Sequence, residues 1–130
     1  MSKEDLKEFV KLEDLKIYRL SLELSEIVWE IYKNLERDIK WTIGKQFLES
    51  IDSIGANIAE GYGRFHYLDS IKFYYNARGS LWESKHWVTL MLKRKIVSQE
   101  NYDTIASKLE KLGIKLNNFI TSVKKKTGNK

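Results

Sequence analysis

Neither cysteine nor proline occurs anywhere in the 130 residues of the chain. Without cysteine there is no disulfide, no thiolate zinc site and no thiol nucleophile, an absence that agrees with a reducing compartment. Without proline the chain makes few rigid turns, which favours long helices joined by short polar loops. No stretch approaches the ~18 uninterrupted apolar residues that a membrane-spanning helix needs. Met1, Ser2, Lys3, Glu4 and Asp5 carry charge of both signs and lead into no apolar segment, which predicts no secretory signal and a cytoplasmic protein. Histidine is scarce too. His66 and His86 are far apart and lack a third ligand at metal spacing. Neither His-Glu-x-x-His nor an inward Glu-x-x-His pair occurs, so no metal and no other cofactor are expected. No glycine-rich phosphate loop lies between a strand and a helix. The reading is of a protein that is not an enzyme.

What is present suits one globular domain: 42% hydrophobic and 32% charged residues. The formal net charge is +5, but residues 121–130 hold four lysines and no acid, which leaves +1 for the other 120 residues. The body is thus nearly neutral, and much of the basicity belongs to a short tail. The expected organisation is a loose lead-in over 1–13, a helical bundle over 14–124 and a basic tail over 125–130.

Four segments repeat apolar residues at helical spacing. From Leu15 to Leu35, one face carries Ile17, Leu20, Leu24, Ile27, Val28, Ile31 and Leu35. Glu36 to Lys40 reads as a loop, with Thr42 as the N-cap of a second helix bearing Phe47, Ile51, Ile54 and Ile58. That helix fades near Gly61 and Gly63, where glycine supplies left-handed geometry. The third helix runs from Leu68 or Asp69 to about Lys93, with Leu68, Ile71, Tyr75, Leu81, Trp82, Val88 and Leu92 as its broad apolar face. Ser98 caps the fourth, whose stripe is Tyr102, Ile105, Leu109, Leu112, Leu116, Phe119, Ile120 and Val123. Four helices of similar length with short loops predict an all-α, antiparallel, up-down-up-down four-helix bundle.

The bundle leaves apolar surface over. Tyr18, Leu22 and Trp29 lie well off the core stripe of the first helix, and Phe73, Ala77, Trp87 and Met91 form a second strip on the third. Burying each large side chain is worth ~1.5–3 kcal/mol, so these residues are the candidate surfaces for self-association. The alternative is that they thicken the core or lie beneath residues 1–13.

At the second helix and its exit the chain reads Ser53-Ile54-Gly55-Ala56-Asn57-Ile58-Ala59-Glu60-Gly61-Tyr62-Gly63-Arg64. The third carries Phe73-Tyr74 and Ala77-Arg78-Gly79-Ser80-Leu81-Trp82-Glu83. Together these blocks resemble the four-helix-bundle family of bacterial 23S rRNA intervening-sequence proteins, over roughly residues 12–123. More distantly, the chain is similar to the accessory protein of diversity-generating retroelements, a pentamer of the same fold that engages nucleic acid and a reverse transcriptase. The resemblance implies a ring-like homopentamer.

Within those blocks Gly55, Ala56 and Ala59 offer a small-residue side for close helix approach, as do Gly79 and Ser80. Asn57, Glu60, Gly61, Arg64, Arg78, Gly79 and Glu83 form the motif cluster. Arg78, read as facing inward between Tyr75 and Trp82, needs a carboxylate, which Glu60 or Glu83 supplies. Paired carboxylates beside an arginine also suit acid–base catalysis. The preferred reading is a structural ion-pair network.

Cations form three groups: Lys93, Arg94 and Lys95; Lys108, Lys111 and Lys115 on the fourth helix; and Lys124, Lys125, Lys126 and Lys130 in the tail. On a monomer these resemble an ordinary solvated surface diluted by Asp103 and Glu110. Repeated around an oligomer they become multivalent phosphate contacts. Tyr62, Phe65 and Tyr67, beside Arg64 and His66, either stack on unpaired bases or plug the bundle end. The expectation is an oligomeric adaptor for structured RNA or DNA, the alternative a scaffold for another protein.

Overall fold

The computed structural model describes residues 10–64 and 66–127. Most of the lead-in, Phe65 and Lys130 lie outside these residues. Among the described residues the chain is all-helical, with four long helices: α1 (Lys16–Lys33), α2 (Lys45–Tyr62), α3 (Tyr67–Lys93) and α4 (Gln99–Thr127). Their seams follow the four- and three-residue spacing of left-handed bundle packing, with one four-residue step repeated on α4. On α1 the seam is Ile17, Ser21, Leu24 and Val28; on α2 it is Phe47, Ile51, Ile54, Ile58 and Gly61. On α4 it is Ile105, Leu109, Leu112, Leu116, Ile120 and Val123.

Residue contacts fix an antiparallel register at every neighbouring pair. Ser21 faces Gly55 and Leu35 faces Gly44 between α1 and the α2 entry. The Ser84 hydroxyl donates to Ser50 Oγ at 2.9 Å between α2 and α3, and Ser50 in turn donates to the Phe47 carbonyl at 2.8 Å. Lys85 pairs with Glu110 at 3.1 Å between α3 and α4. Lys108 pairs with Glu23, closing α4 onto α1. The chain therefore runs up-down-up-down, with edges α1–α2, α2–α3, α3–α4 and α4–α1.

The third helix differs in phase from its hydrophobic pattern. Its core seam is Ser70, Tyr74, Ala77, Leu81, Ser84, Val88 and Met91. Leu68 and Trp82 stand in solvent, Ile71, Tyr75 and Leu92 are only half-buried, and Ala77 and Met91, candidates for an outer strip, are fully buried. The physical reason is the size of the seam. Ser70, Ala77 and Ser84 are small, so α2 and α3 approach closely and larger residues are turned outward.

Two helix ends also differ from expectation. Thr42 caps nothing: after a short helical turn at Arg37–Ile39 the chain enters a π turn at Lys40–Gly44, kinked at Thr42 (φ −115°, ψ −105°). The Thr42 hydroxyl donates backwards to the Asp38 carbonyl at 2.7 Å. Gly63 closes α2 at φ −76°, so no left-handed residue is used there. The left-handed position is Lys95 (φ 59°), where Ile96 N–H bonds the Met91 carbonyl at 2.8 Å and Lys95 N–H bonds that of Leu92 at 3.0 Å. This is a Schellman closure made without glycine. Ser98 caps α4 as expected, its Oγ accepting from Asn101 N–H at 3.0 Å. That helix continues to Thr127, so Lys125 and Lys126 are helical. At the opposite end Tyr62 donates its hydroxyl proton to the Val10 carbonyl, tying residues before α1 to the end of α2.

Candidate nucleic-acid interface

Charge is unevenly divided between diagonal helices. Within its bounds α4 holds six basic and three acidic side chains, whereas α2 holds one basic and three acidic. Lys108, Lys111, Lys115 and Lys126 recur at helical spacing on the side of α4 that borders α1. The Lys108 ammonium donates to Glu23 on α1, and this bond, with the charges of Lys108 and Lys111, holds the Glu23 carboxyl below its usual range. Lys115 shares a surface groove with Leu15, Lys16, Ile17, Asn118 and Phe119. Arg19 follows Lys16 on the exposed side of α1. Lys111 and Lys115 make no ion pair among the described residues. Lys124 turns the other way, 6.0 Å from the Tyr75 ring.

Lys93, Arg94 and Lys95 occupy the opposite end of the bundle, all exposed. At ~1.5 Å per residue, the length of α4 separates them from Lys126 by about 40 Å. Apart from Lys124, the cations of the three sequence groups therefore fall into two basic regions, one along the α4–α1 edge and one at the α3–α4 turn. Beside the turn lies a groove of about 420 Å³ lined by Ile39, Trp41, Thr42, Ile43, Gln46, Trp87, Arg94 and Ile96. Trp41, which sequence reasoning passed over, is 65% exposed there. Its signal was present: a tryptophan beside Lys40 in a loop has no core face to join.

The motif cluster does not form one network. Arg64 pairs with Glu60 one turn back at 2.7 Å and lies 4.5 Å from the Phe73 ring centroid. Arg78 is half-buried, donates to Asn117 Oδ1 at 3.3 Å and covers Tyr75 at 4.8 Å. Glu83 accepts from Trp87 Nε1 at 3.0 Å, and Asn57 donates to the Ser53 carbonyl at 2.9 Å. The expected pairing of Arg78 with Glu60 or Glu83 is not made: Arg78 reaches across to Asn117 of α4, whereas Glu60 pairs with Arg64 and Glu83 accepts from Trp87. Gly61 is buried against Tyr74, and Gly79 is exposed with open space where a side chain would be. Among the described residues no three acidic or histidine side chains gather as a metal site, and no helix is long and apolar enough to cross a membrane.

The leftover apolar surface divides between opposite edges. On α1, Leu22 and Trp29 are exposed and Tyr18 half-buried, all on the side toward α2. On α3, Phe73 and Trp87 are half-buried toward α2. The exposed pair is instead Trp82, at 62%, and Ile114 of α4, at 56%. They border a 190 Å³ hollow on the α3–α4 edge with Leu81 and Gly113 at its base. Ile114 was missed because a single isoleucine off the stripe of α4 gives no periodic signal.

Comparison with known proteins supports the same fold. Residues 13–118 match the family described as 23S rRNA-intervening sequence protein. The chain is similar to a crystal structure of a protein with unknown function from the S23 ribosomal protein family of Bacteroides thetaiotaomicron. The TM-score is 0.75 at 26% identity, covering 80% of this chain and 97% of that one. No curated protein matches.

Proposed function

We propose, for a chain that belongs to the 23S rRNA-intervening sequence protein family, that it is a non-catalytic adaptor assembling head to tail into a ring and binding structured RNA or DNA through phosphate contacts. The observation that carries this is the placement of three surfaces on three edges. Leu22 and Trp29 lie on the α1–α2 edge, Trp82 and Ile114 on the opposite α3–α4 edge, and the lysine stripe between them on α4–α1. A closed ring needs two different patches on opposite flanks of each subunit. In such a ring the α4–α1 edge faces the same way in every copy, so its lysines add up. Five copies, the number implied by the family resemblance, carry +25 at +5 each.

Fluorescence anisotropy of a labelled RNA hairpin tests the reading. Binding is expected at low salt, weakening steeply toward physiological salt, because each phosphate contact releases condensed counterions. Truncation after Val123 should lower both affinity and slope. The exposed Trp82 and Ile114 equally suit a second reading, a scaffold for another protein without nucleic-acid contact. Absence of hairpin binding at low salt would leave that reading in place of the first.

A further inference from the structure

We propose that the groove between Trp41 and Trp87 takes an unpaired base from the nucleic acid bound by this protein, which deepens the nucleic-acid reading above and rests on it. Two indoles, one guanidinium and one side-chain amide line the groove, and no acid does. A base needs an apolar platform for its face, and Trp41 presents an indole that is mostly in solvent. Ile39, Ile43 and Ile96 supply an apolar floor. Gln46 offers both a donor and an acceptor to a base edge without selecting one base by charge. Arg94 is the one charged lining residue, and a planar guanidinium suits either a phosphate or a base face. Lys93 and Lys95 flank it in the chain, both exposed, and add positive charge at this turn, where a backbone phosphate would follow the base, against Glu36 in the neighbouring hollow.

The platform is also held in place. Trp41 sits within the π turn at Lys40–Gly44, and the kink at its neighbour Thr42 is pinned by hydrogen bonds from Thr42 Oγ1 to the carbonyls of Asp38 (2.7 Å) and Ile39 (3.3 Å). On the other side, Trp87 is fixed by its bond to Glu83. Lys95 holds a left-handed backbone in which Lys is disfavoured, at the edge of the neighbouring hollow that shares Ile39 and Ile96. A volume of about 420 Å³ lies within the ~300–1,000 Å³ of small-molecule sites.

The test compares a blunt RNA hairpin closed by a non-nucleotide linker, so that it holds no unpaired base, the same hairpin with a single-stranded overhang, and a short single strand, by anisotropy against the full chain. The overhang should tighten binding on the order of tenfold, the scale of one base–aromatic stack. Trp41→Ala should remove that gain while leaving blunt-hairpin affinity and its salt slope unchanged, and Trp41→Phe should keep part of it. Arg94→Gln should weaken the overhang hairpin and reduce its salt slope. Equal binding of both hairpins, or indifference of the overhang gain to Trp41→Ala, overturns the groove and leaves the electrostatic adaptor intact. No blunt-hairpin binding, with Trp41-dependent capture of the short strand, overturns the adaptor and keeps the groove. No binding of any of the three overturns both. A Trp41→Ala chain altered in oligomeric mass but not in overhang affinity assigns the groove to a second copy and also overturns the proposal.

Discussion

Gly61 and Tyr74 pack so closely that a Cβ on Gly61 would lie 2.7 Å from Tyr74 Cε1 and 3.0 Å from the Ser70 carbonyl oxygen. The contact joins the end of α2 to the start of α3, where backbone on one side and a fully buried ring on the other leave no room to yield. Gly61→Ala should cost about 1–3 kcal/mol, the range for overpacking a filled core. Gly79 is its counterpart in the same motif, exposed in a helix interior with nothing within 4 Å of the missing Cβ. Gly79→Ala should therefore stabilise by up to ~1 kcal/mol through helix propensity. Urea denaturation of the two variants checks both signs. Destabilisation by Gly79→Ala would place that residue against another subunit.

Lys95 gives a second stability prediction. Its left-handed backbone costs a non-glycine residue about 1–2 kcal/mol, and glycine at that position removes the cost at a smaller loss to unfolded-chain entropy. Lys95→Gly should raise stability by about 0.5–1 kcal/mol, read from the urea midpoint. The same change should weaken binding of the overhang hairpin. A residue that costs stability where glycine would serve is then explained by its charge.

Tyr74 predicts a pH dependence. Burial, reinforced by the neighbouring Tyr62, pushes its hydroxyl well above the ordinary value of 10.0. The unfolded chain releases this proton near pH 10 and the folded chain keeps it. Stability is thus fully present below pH 10 and falls as pH rises beyond it, by up to ~1.4 kcal/mol per unit. Denaturation curves between pH 8 and 11 should show a shallower fall for Tyr74→Phe than for the unaltered chain. Equal slopes would mean that the hydroxyl ionises in place.

The seam of α3 shows what was legible and how. On α4, one-sided leucines and isoleucines identified the core directly, since every large apolar residue of the stripe is buried or half-buried. On α3 the largest apolar residues are not the core, and a reading weighted by hydrophobicity chose Leu68 and Trp82 over Ser70, Ala77 and Ser84. The seven-residue interval of Ser70, Ala77, Ser84 and Met91, interleaved with Tyr74, Leu81 and Val88, was in the sequence throughout. A heptad reading that allows small residues finds it. Thr42 was misplaced for another reason. Threonine before an apolar run fits an N-cap, but a hydroxyl bonded to a preceding carbonyl looks identical in sequence. Of the candidate site, the lysines were legible as groups. Their division between one edge and one end, and the place of Trp41 beside Arg94, depend on helix register that pattern alone does not fix.

The opposed apolar edges predict how assembly fails. In a head-to-tail contact, Trp29 of one copy and Trp82 of the next belong to different patches, so either patch can be broken alone. Trp29→Asp and Trp82→Asp should each give a chain of 15.4 kDa by light scattering, since a ring cannot close with one patch missing from every subunit. Both residues are exposed within the bundle, so folding, followed by circular dichroism, should be unaffected. Mixing the two variants makes the argument decisive. Each retains the patch that the other lacks, so exactly one contact per pair can form, and the mixture should reach twice the chain mass and stop. A face-to-face dimer through a single patch gives the opposite pattern: one variant stays associated by itself, and mixing restores nothing.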